Sequence, residues 1–183
     1  AKSWEEFTQI YSRLIRAMAR KSGLSEAEAQ DVEQETLLSV AKTIHRFESN
    51  PERGTFKSWL FNLIRWRIAN QYKRRDPAGD AAAPPPSAED RTSTAERVPS
   101  PENLDAEWEE EWRKNLFETA LTRIGRRAKA KHLQIFDLYA RRQWPAGKVA
   151  RELEVSRMQV YLVAHRLTKL VRREVEYLRR NLE

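Results

Sequence analysis

The chain has no cysteine among its 183 residues, which excludes disulfides, thiolate metal sites and cysteine nucleophiles. Its three histidines, His45, His132 and His165, are scattered, and no two stand at the one-turn spacing of a helical metal pair. No glycine-rich phosphate loop and no nucleophile motif occurs, so no cofactor is expected. No apolar run reaches membrane-spanning length and no signal peptide is visible, so a cytoplasmic protein without membrane insertion is expected. The chain begins at Ala1 rather than Met, which reads as a processed or trimmed start. No stretch alternates in the two-residue period of a strand, which leaves an all-α fold as the expected class.

Charge is plentiful and uneven. The net charge is +7 and a third of the residues are ionic. Residues 1–75 carry +5, residues 76–125 carry −7 and residues 126–183 carry +9. Two basic blocks around an acidic middle favour an anionic partner, nucleic acid before membrane surface. Residues 76–103 hold six of the eight prolines, including Pro84, Pro85 and Pro86, among Ala, Ser and acidic residues. Such a composition buries too little apolar surface to offset its ordering entropy, so it reads as a flexible tether. Domains are expected at 1–75 and 104–183, two small helical bundles joined by this linker.

Helix signals fill both domains. Trp4, Phe7, Ile10, Tyr11, Leu14, Ile15 and Met18 make an apolar stripe with Ser3 as N-cap and Gly23 as stop. Ser25 and Glu28 form a capping box for a second helix running to Phe47. A break at 48–55, with Asn50-Pro51 and Gly54, precedes a third helix, Phe56–Arg75. In the second domain the spacing predicts helices at 104–124, 132–142 and 148–153, and a long basic helix from Arg157 towards Arg180.

The third helix is the most informative stretch. Phe56, Trp59, Leu60, Leu63, Ile64, Ile68 and Tyr72 form its core face. Lys57, Phe61, Arg65 and Lys73 run along the other side with Asn62, Trp66 and Asn70 beside them. An exposed ribbon of cations, amides and rings suits phosphates, base edges and unstacked bases respectively. The same spacing also fits a core helix with a solvated basic face and Trp66 as a packing contact.

A helix-turn-helix pattern follows in the second domain. Ala150 permits a close crossing, Val155 plugs the turn, Ser156 caps the second helix, and Val160 and Leu167 pack inward. Its outer face presents Arg157, Gln159, Tyr161, His165 and Arg166, with Lys169, Arg172 and Arg173 placed for phosphate. Glu154 occupies a position where a turn glycine is usual, at about 1–2 kcal/mol if the backbone there is left-handed. An ordinary helical hairpin with solvated arginines is the alternative.

Taken together, these segments resemble bacterial sigma factors of the extracytoplasmic-function group. Asp31-Val32-Glu33-Gln34-Glu35-Thr36 is similar to that family's polymerase-docking segment, and Phe56, Trp59, Leu60 and the tail Tyr72-Lys73-Arg74-Arg75 are similar to its promoter-melting helix. The 150–167 pattern is similar to its upstream-element reader. The resemblance implies docking on core RNA polymerase through Asp31, Gln34 and Glu35. It also implies contact with melted promoter DNA through Lys57, Phe61, Asn62, Arg65, Trp66, Asn70, Lys73 and Arg74. Ser49, Asn50 and Arg53 are placed to take a flipped base and set the −10 preference. Arg157, Gln159, Tyr161, His165, Arg166 and Lys169 would read the −35 element. An anti-sigma factor is a further partner of this class. The family is not enzymatic. Two other functions compete: a stand-alone helix-turn-helix regulator, and a metal-dependent nuclease or recombinase using Glu33 and Glu35. The sequence departs from the family at Trp66 and Asn70, where Asn and Asp are frequent, and at Pro145 and Tyr161.

Overall fold

A computed structural model describes residues 2–43, 54–75 and 104–183. The described residues form helices and the turns between them, in the order α1 (Lys2–Lys21), α2 (Glu26–Thr43), α3 (Phe56–Arg75), α4 (Leu104–Gly125), α5 (Ala130–Ile135), α6 (Ala146–Glu152) and α7 (Arg157–Leu182). The expected all-α class holds. The chain divides into two compact units, Ala1–Asn115 with the last two residues, and Leu116–Asn181.

In the first unit the local signals act much as the residues dictate. Gly23 has φ 88°, and its N–H bonds Arg20 O at 2.9 Å while Leu24 N–H bonds Ala19 O at 3.3 Å. That is the Schellman ending, which glycine adopts without a Cβ penalty. The capping box of α2 is formed reciprocally: Ser25 N–H donates to Glu28 Oε2 at 2.7 Å, and Glu28 N–H to Ser25 Oγ at 3.3 Å. Thr55 Oγ1 accepts from Ser58 N–H at 3.2 Å at the start of α3. Helix α1 begins at Lys2, so Ser3 lies inside it rather than capping it. Tyr11, Leu14, Ile15 and Met18 of α1 and Val32 and Val40 of α2 are buried, and both helices pack on α3.

The first half of α4 belongs to this unit, which departs from the expected boundary at residue 104. Trp108 stacks on Phe61 with centroids 4.8 Å apart, and Trp112 stacks on Tyr11 at 6.3 Å. Both tryptophans are buried. Cations of α1 and α3 meet the acidic side of this half-helix. Arg13 donates to Glu111 at 3.1 Å, Lys57 to Glu109 at 2.9 Å, and Lys21 pairs with Glu107. Burial pushes the Glu111 carboxyl up, but hydrogen bonds from Lys114, Lys21 and Arg13 outweigh it and hold the group below its ordinary range. Hydrophobic periodicity and charge both recruit residues 104–115 to the first unit.

The second unit closes around Ile135, Ala146, Val149 and Val160, with Leu138, Tyr139, Trp144, Ala150, Leu153, Val155 and Val163 packed against them. The helix expected at 132–142 starts at Ala130 and widens into a π-helical turn, Phe136–Arg141. Helix α6 begins at Ala146 with Pro145 at its N-cap, two residues before the expected start.

Candidate nucleic-acid interface

Three surfaces carry the residues singled out by the sequence. On α2, Asp31 and Gln34 are exposed as expected. Glu35 is not available in the same way. It accepts from Arg67 at 3.0 Å and from Arg74 at 2.9 Å, tying α2 to α3. Arg67 is partly buried and needs a counter-charge; burial lowers its pKa and Glu35 opposes that shift. Leu38, one turn past Gln34, is 60% exposed and continues the Asp31–Gln34 stripe. Sequence periodicity alone assigns Leu38 to neither face, because its neighbour Leu37 competes for the core position. Glu33 pairs with Arg16 at 2.7 Å. With Glu33 and Glu35 each neutralised by arginine and spaced i, i+2 on different sides of the helix, the nuclease alternative has no paired carboxylates to use. Among the described residues no cluster of three potential metal ligands occurs.

The second surface is α3, where the expected exposed ribbon needs correction. Phe61 is 9% exposed and lies under Trp108; Trp66 is 6% and Asn70 is 9% exposed. Arg67 sits over the Trp66 ring at 4.5 Å. The core face is buried as expected, with Leu60 and Ile64 at 0%. Helix α3 is thus enclosed on more than one side, by α1 and α2 and by the start of α4, and the packing alternative describes Trp66. Lys57 is held by Glu109. Arg65 is partly buried with its guanidinium over Phe61 at 5.4 Å, and Asn62 and Lys73 are partly exposed. Arg74 is more than half exposed but paired with Glu35. Tyr72, assigned to the core stripe, lies at the edge with its hydroxyl donating to Ser22 O. Ser49, Asn50 and Arg53 lie outside the described residues.

The third surface is built by α6, a tight turn and α7. Val155 N–H bonds Ala150 O at 3.0 Å, and Glu154 takes the left-handed conformation with φ 52°. The glutamate therefore bears the cost that a glycine would avoid, about 1–2 kcal/mol. Ser156 caps α7 reciprocally: Gln159 N–H donates to Ser156 Oγ, and Ser156 N–H donates to Gln159 Oε1, both at 3.1 Å. The side-chain oxygen of Gln159, expected to meet a base edge, is committed to this cap. Val160 and Leu167 are buried as the pattern requires. Gly147 is a site of close approach, since a Cβ there would come within 2.9 Å of Arg157 Nη2. Arg157 thus folds back over the first turn of α6 instead of projecting freely. Tyr161 is 49% exposed with its edge against Tyr139, and Met158 and Leu162 are more exposed still. His165 and Lys169 are exposed, and Arg166 donates to His132 Nδ1 at 3.1 Å. The outer face of α7 is therefore a mixture of cations and apolar groups. Met158 and Leu162, which the hydrogen-bonding argument passed over, suit the thymine methyl.

Residues 7–77 match the sigma-70 region 2 family. No curated protein and no solved structure matches the chain. Among the described residues no helix is long and apolar enough to cross a membrane.

Proposed function

We propose, from the match of residues 7–77 to sigma-70 region 2, that the chain acts in transcription initiation with core RNA polymerase and promoter DNA, without enzymatic activity, as a two-domain promoter-specificity factor of the extracytoplasmic-function type. The single observation that carries this is the family match over 7–77 followed by a separate helical unit with a capped, tightly turned α6–α7 pair. Asp31 and Gln34, extended by Leu38, form the polymerase-docking stripe. Glu35 supports that stripe from within. Ser49, Asn50 and Arg53, with Asn62, Arg65 and Lys73 of α3, meet the −10 element and its melted strand. Tyr161, Met158 and Leu162 with Arg157, His165, Arg166 and Lys169 read and grip the −35 element.

Co-purification with core polymerase, followed by transcription from a library of promoters, tests the reading. The expected result is a stable complex that starts transcription from a defined pair of elements. A chain that binds duplex DNA sequence-specifically but never polymerase would establish the stand-alone regulator in its place.

A further inference from the structure

The turn between α4 and α5 and the first residues of α5 hold Arg126, Arg127, Lys129 and Lys131 within six residues, and no function above uses them. All four side chains are exposed. Among the described residues Arg127, Lys129 and Lys131 make no ion pair. Four of the unit's six carboxylates are engaged elsewhere: Glu118 with Arg141, Asp137 with Arg142, Glu174 with Arg123 and Glu176 with Arg180. Arg127, Lys129 and Lys131 are thus like charges close together without a carboxylate partner among the described residues.

Its position gives this charge a direction. His132, the residue after Lys131, accepts from Arg166 at 3.1 Å; a guanidinium can only donate, so the ring nitrogen is the acceptor. Arg166 lies on the outer face of α7 between the exposed His165 and Lys169. This bond ties the start of α5 to the outer face of α7, and it sets the basic residues before His132 beside that face. Bases are read in a groove and phosphates line its edges, so cations beside a reading helix meet the backbone.

We infer that Arg127, Lys129 and Lys131 are a second DNA contact, gripping the phosphodiester backbone of the duplex whose groove α7 enters. The contact adds affinity at any sequence and fixes the register of α7. It rests on the reading of α7 as a duplex reader.

The test uses the full chain and fluorescein-labelled duplexes, one carrying the preferred upstream element and one scrambled, with anisotropy measured across a salt series. Each phosphate contact contributes about 0.9 to the slope of log affinity against log salt. K129A/K131A is expected to lower that slope by about 2 on both duplexes and to leave their affinity ratio unchanged. Lys129 stands at the α5 N-cap without a side-chain cap bond, so its truncation removes no cap. K129R/K131R is expected to restore the slope. A wild-type slope in K129A/K131A, with circular dichroism unchanged, overturns the inference and leaves α7 as reader; a protein partner is then the target of the turn. A reduced slope with no preference between duplexes in the parent chain supports the phosphate contact and overturns the reader.

Discussion

Trp66 and Glu35 show how one side chain changes meaning once its surroundings are known. Trp66 stands on a face marked by Arg65, Lys73 and two asparagines, yet it is buried with a guanidinium over its ring. Trp66→Ala is therefore expected to destabilise the first unit by about 3–5 kcal/mol, as truncation of a buried aromatic does. Urea denaturation followed by circular dichroism measures this, and a loss under about 1 kcal/mol would return Trp66 to the surface. Glu35 and Asp31 share a helix and an i, i+4 spacing but differ in partners. Glu35→Gln leaves Arg67 and Arg74 without their carboxylate and is expected to cost about 1–3 kcal/mol of stability. Asp31→Lys is expected to leave the melting temperature unchanged and to weaken binding to core polymerase, measured by competition against the parent chain. Equal polymerase binding by a folded Asp31→Lys protein removes Asp31 from the docking stripe.

At the scale of elements, α2 is held at its start by an interaction that acid can undo. Arg75 donates to Glu28 at 2.6 Å, and with the Ser25 N–H it holds the Glu28 carboxyl down at about 2, against an ordinary value of 4.5. The folded value is depressed, so this stabilisation is fully present above pH 4.5 and is lost as pH falls through about 2. A carboxyl-carbon NMR titration is expected to give Glu28 a midpoint near 2, and Arg75→Ala is expected to move it back up. A midpoint near 4.5 in the parent chain would mean that the pair does not form in solution. Helix α7 shows the same economy: the Ser156–Gln159 box orders its first turn with a residue that would otherwise be free to meet a base. Capping here competes with readout for one side chain, which leaves Tyr161, Met158 and Leu162 as the more available groups for specificity.

At the scale of the molecule, the functional division and the folding division fall at different places. The change in composition falls at residue 104, where the proline-rich stretch ends, but the first unit runs to Asn115. Residues 104–115 supply Trp108 against Phe61, Trp112 against Tyr11, and carboxylates for Arg13, Lys21 and Lys57. A fragment of residues 1–75 is expected to be less stable than one of residues 1–115 by several kcal/mol, since each buried tryptophan is worth about 3–5 kcal/mol on truncation. Chemical denaturation of the two fragments checks this. Equal stability would place the start of α4 outside the folding unit.

The all-α class, the Schellman stop at Gly23, the Ser25–Glu28 box, the core face of α3 and the Ser156 cap were determined by the sequence itself. They are local: each depends on residues close in sequence, where helical periodicity fixes which groups meet. The motif spacing that resembles a sigma factor was equally legible, and the 7–77 match supports its part in the first domain. Only the tertiary structure decided that Phe61, Trp66 and Asn70 are covered, that Glu35 faces Arg67, and that His132 meets Arg166. Each of these depends on partners 30 or more residues away, or on how many sides of a helix are enclosed. Periodicity separates the faces of a helix, but it does not count the neighbours that will cover them.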